Sequence, residues 1–415
     1  MIERISYSLI RFALLATALY IDNAYARESS TSMFSFSGFS TLGVVHSSEN
    51  KADFTSSIFK PNGAGHSHSW SADIDSLIGV QGTANLAPKL SGILQVIAEQ
   101  NYDNSYRPHV EWANIQYQFT PKFSVRAGRT VLPTFLFSDT RKVAYSYTWV
   151  RPPLEIYHLA PITTSDGVDA SYQMHLGGVT NALQAHFGKS ENELPAGQGA
   201  VKARKSWGLA YTGEYRAATL HIGYESSRFT LDGLNPIFDA FRQFGPEGIG
   251  IADKYVADNK SLSFITMGAR YDPGEWFMMG EWGHLASHSF AGEATGWYMS
   301  GGYRLGAFTP YLTFGHVKAD TLSDPGLNLS TLPPSLVGTA AGINAALNAL
   351  LSRNVVQNTL SIGGRWELTR NTAFKVQYDH TRIGAGSSGV LTNIQPGYQS
   401  GGKVNLFSAA IDFVF

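Results

Sequence analysis

The feature that most narrows the fold is a two-residue alternation that recurs along nearly the whole chain. Residues 109–119 read HVEWANIQYQF, with Ala113, Ile115, Tyr117 and Phe119 on one face and Asn114, Gln116 and Gln118 on the other. A strand sends successive side chains to opposite faces, so the segment has one apolar and one polar side. Residues 405–415 repeat the scheme, with Phe407, Ala409, Ile411, Phe413 and Phe415 against Ser408, Ala410 and Asp412. In residues 371–382, Phe374, Val376 and Tyr378 oppose Lys375, Gln377 and Asp379. Such segments predict sixteen strands, at 34–46, 73–86, 90–101, 109–119, 122–129, 166–176, 180–189, 204–215, 218–228, 260–271, 275–287, 294–305, 308–318, 354–367, 371–382 and 404–415.

The connections alternate in length. Short ones, such as Ala87-Pro88-Lys89, Thr120-Pro121-Lys122 and Asp272-Pro273-Gly274, carry turn residues. Long ones fall near 47–72, 102–108, 130–165, 190–203, 229–259, 288–293, 319–353 and 383–403, with 130–165 the longest. Tight turns therefore gather at one end and excursions at the other. This layout predicts an all-β fold: a transmembrane antiparallel up-and-down β-barrel with short periplasmic turns and long external loops. Closure pairs every backbone group in lipid and removes the sheet edges. Sixteen strands leave a polar, water-filled lumen. Aromatics beside the short turns (Phe119, Phe123, Tyr215, Tyr271, Trp276, Phe308 and Trp366) suit an interfacial girdle.

Composition agrees. Lys and Arg number 31 and Asp and Glu 32, which argues against a nucleic-acid partner. There is no cysteine, so disulfides and thiolate-bound metals are excluded. The amino-terminal segment has basic Arg4 and Arg11, an apolar run over 12–21 too short to span a bilayer, and Ala24-Tyr25-Ala26 as a cleavage site. Residues 1–26 read as a secretory signal peptide and residues 27–415 as one barrel domain, placed in the bacterial outer membrane.

This combination resembles a Gram-negative outer-membrane porin of the trimeric general type. The resemblance implies a homotrimer in outer-membrane lipid that passes small hydrophilic solutes and ions by passive diffusion. The terminal Asp412-Phe413-Val414-Phe415 resembles the signal read by the barrel assembly machinery, with Phe413 and Phe415 as its aromatic residues. It also implies that the third external loop folds into the barrel and narrows it. In the best-known general porins that loop is acidic; here SDTRKVAYSYTWVRPPLEIYHLAP is rich in tyrosine.

Selection in a pore needs opposed charges across a narrow lumen. Alternation points Arg126, Arg270, Arg304, Arg365 and Lys375 inward, with Glu99 and Asp379 as inward acids. The third loop supplies Asp139, Arg141, Lys142, Arg151 and Glu155, expected to face the wall arginines. Tyr145, Tyr147, Trp149 and Tyr157 either pack the loop or form an aromatic rail for a preferred solute. Loop seven carries helical spacing over 335–351, and loop five a helical turn or two in NPIFDAFRQFG. No G-x-S-x-G occurs, so an enzyme is not expected, although a barrel-borne lipid or ester hydrolase could assemble a Ser–His pair at the rim. His66, His68, His284 and His288 lack clustered carboxylates, and neither a metal nor a cofactor is expected.

Overall fold

The computed structural model describes residues 32–352 and 355–415; the expected signal peptide lies outside them. Sixteen long strands alternate as predicted: β1 (Phe34–Ser47), β2 (Leu77–Ala87), β3 (Leu90–Glu99), β4 (His109–Thr120), β5 (Phe123–Val131), β6 (Thr164–Leu176), β7 (Val179–Glu193) and β8 (Ala200–Tyr215) form the first half. The second half is β9 (Ala218–Leu231), β10 (Lys260–Tyr271), β11 (Trp276–Ser287), β12 (Glu293–Tyr303), β13 (Phe308–Ala319), β14 (Val356–Thr369), β15 (Thr372–Ile383) and β16 (Gly402–Val414). Each pairs antiparallel with the next, and β1 closes the ring on β16, with Leu42 opposite Ile411.

The two faces are inverted relative to a water-soluble barrel. On β13 the inward Tyr311, Thr313 and Val317 are buried, whereas the outward Leu312 is 52% exposed. Its cross-strand neighbour Ile362 is 57% exposed. A continuous apolar exterior of this kind is covered only by lipid. The girdle is built from paired rings: Phe119 and Phe123 lie 5.6 Å apart across one short turn, and Tyr271 and Trp276 5.4 Å apart across another.

The loops depart from expectation in two places. Residues 320–355, between β13 and β14, outrun residues 132–163 between β5 and β6, because β5 and β6 extend into the expected third loop. The third loop is therefore not the longest. It holds a short helix, α1 (Leu154–Tyr157). Loop five holds two helices, α2 (Asn235–Arg242) and α3 (Gly245–Tyr255), and loop seven holds α4 (Pro334–Leu351). They share an apolar core of Phe238, Phe241, Tyr255, Leu347 and Leu350 outside the barrel. The glycines of α3 mask its helical character in the sequence. Gly248 is needed there, since a Cβ would lie 1.9 Å from the Phe241 carbonyl oxygen.

Candidate functional site

The third loop enters the lumen and lies on the inner wall of β9 to β16. Phe135, Phe137, Tyr147, Trp149, Ile156 and Tyr157 pack against inward Phe264, Phe277, Met279, Tyr298 and Tyr311. Trp149 Nε1 donates to Ser300 Oγ at 2.9 Å and Thr313 Oγ1 at 3.0 Å. Glu281 on β11 accepts from Tyr157 at 2.7 Å, Tyr298 at 2.9 Å and the Leu136 amide at 2.8 Å. Glycines stand at inward positions on five successive strands under the loop, and at Gly296 and Gly315 a side chain would collide with it. A Cβ at Gly223 would lie 3.1 Å from Thr134 O, at Gly268 3.4 Å from Leu136 Cβ, and at Gly283 3.4 Å from Ile156 Cδ1. At Gly296 it would lie 2.1 Å from Glu155 O, and at Gly315 2.7 Å from Glu155 Oε2. The glycines form a track under the loop.

Buried charges fasten the loop. Arg365 Nη1 donates to the carbonyls of Tyr145 (2.5 Å) and Tyr147 (2.8 Å), and its guanidinium stacks on Tyr145. Lys375 Nζ, wholly buried, donates to Ala144 O at 2.6 Å and Trp149 O at 2.8 Å and pairs with Asp412 at 2.8 Å. Arg151 forms two bonds to Asp75 (2.8 and 2.5 Å), donates to Ser408 Oγ at 2.8 Å and lies 3.6 Å from Asp379. Glu155 accepts from Thr359 and from Gln357 Nε2 at 2.8 Å. Arg365 and Lys375 therefore meet the third loop, where their partners are backbone oxygens.

Toward β1 to β7 the loop touches the wall at fewer points, with Val143 packed against Phe39, Leu77 and Ile97. Beside these contacts a cavity of about 430 Å³ lies between the loop, the wall of β1 to β7 and the first two external loops. On the wall side stand Lys60, Glu99, Gln100, His109 and Glu111; on the loop side Arg141, Lys142 and Tyr157. Lys142 pairs with Glu99, which also has Lys60 at 3.8 Å and His109 at 3.9 Å. Glu111 accepts from Thr163 Oγ1 at 2.9 Å and lies 3.7 Å from His109. Burial pushes the Lys60 ammonium below its ordinary value, with Glu99 opposing. Burial acts the same way on Lys142, but Glu99 and Glu111 outweigh it and hold that ammonium above its ordinary value. Arg141 donates to the carbonyls of Ala160 and Tyr157, each at 2.9 Å, and stacks on the Tyr157 ring. In this cavity loop bases thus face wall acids, the reverse of loop acids facing wall arginines.

Arg126 pairs with Asp169 at 2.8 Å across β5 and β6 and also acts on Asp139 of the loop, so there one loop acid does face a wall arginine. Arg270 and Arg304 do not approach the loop: both bind Asp272 at a short turn, at 2.5 and 2.7 Å. Alternation reports the face of the wall but not the height along it. Of the four loop aromatics, Tyr147, Trp149 and Tyr157 are buried against the wall and pack the loop, and Tyr145 carries the Arg365 guanidinium. Sequence reasoning missed Lys60, Asp75, Glu111 and Asp412. Glu111 shares strand parity with Ala113 and so reads as lipid-facing. A register shift between Gln95 and Val96 turns it inward, and only the pairing reveals it. At the outer rim His288 Nδ1 lies 2.8 Å from Ser261 Oγ, and His284 Nδ1 2.9 Å from Thr295 Oγ1.

A family model described as Gram-negative porin matches residues 13–386. No curated protein matches the chain. Among solved structures, the anion-selective porin from Comamonas acidovorans is similar over 92% of this chain and 99% of its own, with 12% identity and a TM-score of 0.55. Salmonella typhi OmpF, solved in complex with daunomycin, covers 92% and 97% at 10% identity and 0.54. The Acinetobacter baumannii outer membrane channel DcaP covers 94% and 100% at 11% identity and 0.53. These likenesses are of fold.

Proposed function

Since the chain belongs to the Gram-negative porin family and forms a passive diffusion channel of the outer membrane, we propose that its solutes pass between the third loop and the wall of β1 to β7. The observation that carries this reading is the uneven seating of the loop. Most of its buried anchors hold it to β9 to β16, and the cavity that remains lies on the other side, beside the contacts of Val143 and Lys142. There Glu99 and Glu111 stand opposite Arg141 and Lys142, and this charged passage selects by size and dipole. Arg151, Lys375, Arg365, Asp379 and Glu155 keep the loop in place rather than touching solute. Small hydrophilic solutes and ions are the cargo.

The same reading makes residues 1–26 a signal peptide, Phe413 and Phe415 part of the assembly signal, and the homotrimer the working unit. It includes no catalysis. The rim pair Ser261–His288 would be the place to look for an ester hydrolase, and turnover of phospholipid by the purified protein would favour that alternative.

The test is planar-bilayer conductance before and after removal of residues 145–153. The intact protein is expected to give discrete steps, and the deletion larger ones, because the loop loses Trp149 and Arg151 and leaves the lumen. Steps of unchanged size would refute the third loop as the narrowing element.

A further inference from the structure

We propose that the cavity between the first three external loops is a binding subsite for small zwitterions, amino acids and dipeptides, held with the ammonium toward the wall and the carboxylate toward the third loop. The proposal rests on the channel reading above and adds a solute class to it. At about 430 Å³ the cavity is within the range of small-molecule sites, about 300–1,000 Å³.

Its two sides differ in what they lack. On the wall, Gln100 is buried, and its Nε2 donates to Asn62 at 2.7 Å and Asn104 at 3.0 Å. Those bonds fix the amide, and its Oε1 has no partner among the described residues. Beside it Glu111 brings a nearly buried carboxylate that one hydroxyl, from Thr163, already holds in position. An oriented amide oxygen and a carboxylate are acceptors, and both call for N–H donors on a cationic group.

On the loop, Arg141 has the opposite need. Its guanidinium is held by two carbonyls and by the Tyr157 ring, but it forms no ion pair among the described residues. Lys142 beside it is already matched to Glu99 and so adds little net charge. A part-buried guanidinium on which Glu111 and Glu281 act only from beyond ion-pair distance has room for a carboxylate of its own. A simple cation or anion answers one side, and a sugar answers both only with uncharged hydroxyls; a zwitterion answers both with full charge. Its dipole is then oriented opposite to what an acidic third loop would impose.

Single-channel recordings of the purified full-length protein test this, at about pH 6.5, where the α-amino group of the probe is protonated and its carboxylate ionised. The probe is glycylglycine, compared with its uncharged acetyl-amide derivative. Glycylglycine is expected to reduce the open-channel current saturably, and the uncharged derivative not to. Arg141→Gln and Glu111→Gln, at opposite poles, should each raise the half-blocking concentration by about tenfold or more, measured against each variant's own unblocked current, the loss expected for one charge-assisted hydrogen bond. Equal action of the two probes, or undiminished block in both variants, would overturn the subsite and leave the channel standing. Wild-type protein without conductance steps would overturn the channel reading itself and the subsite with it.

Discussion

Arg151 shows how a single side chain ties this molecule together. It leaves the third loop with its side chain only 7% exposed and engages Asp75 before β2, Asp379 on β15 and Ser408 on β16. Its guanidinium also stacks on Phe54 of the first loop. The planar fork matches Asp75 with two parallel bonds, a geometry an ammonium cannot reproduce. Removing it strands two buried carboxylates, so Arg151→Met should cost about 3–5 kcal/mol. Arg151→Lys should recover only part of that loss. Thermal unfolding in detergent, followed by the gel shift of the heated barrel, measures both. A cost below about 1 kcal/mol in the Met variant, typical of an exposed pair, would show that this network does not hold the loop.

At the scale of elements, the strands were legible in the sequence because alternation is local, whereas the loop's seat was not. What fastens the third loop is a match between wall side chains and loop carbonyls, as at Lys375 and Arg365, and carbonyls leave no mark in a residue pattern. One signal was present unread. Gly223, Gly268, Gly283, Gly296 and Gly315 all fall at inward parity on consecutive strands, where side chains are expected to fill a lumen. Glycine there marks close approach of another backbone. Gly296 is the tightest point, so Gly296→Val must lift the loop away from the wall, at about 1–3 kcal/mol of overpacking. The displaced loop moves into the open passage, and single-channel conductance should fall. Gly92→Ala is the control, since its Cβ would meet nothing closer than 3.8 Å. Equal conductance in the two variants would remove the track from any role in setting the passage.

For the whole molecule, the balance of 31 basic and 32 acidic residues matters less than where charge is excluded. The charged pairs sit in the lumen, at the turns and in the loops, while the outer band presents side chains such as Leu312, Ile362, Met299 and Leu209. That partition makes a depth-dependent prediction. Ile362 lies midway along β14, beside Leu312, in the centre of the apolar band. Leu176 ends β6 at a short turn and is 72% exposed. Both side chains project outward, and in water both would tolerate a charge within about 0.5 kcal/mol, the usual limit for surface sites. In a bilayer the cost follows depth: Ile362→Arg should destabilise by about 2–4 kcal/mol and Leu176→Arg by about 0–1 kcal/mol. Denaturant titration of the barrel refolded into lipid vesicles gives both values. Equal costs at the two sites would mean that lipid does not cover this band at the height the strands imply. The predicted difference would locate the mid-plane at Ile362 and the interface at Leu176.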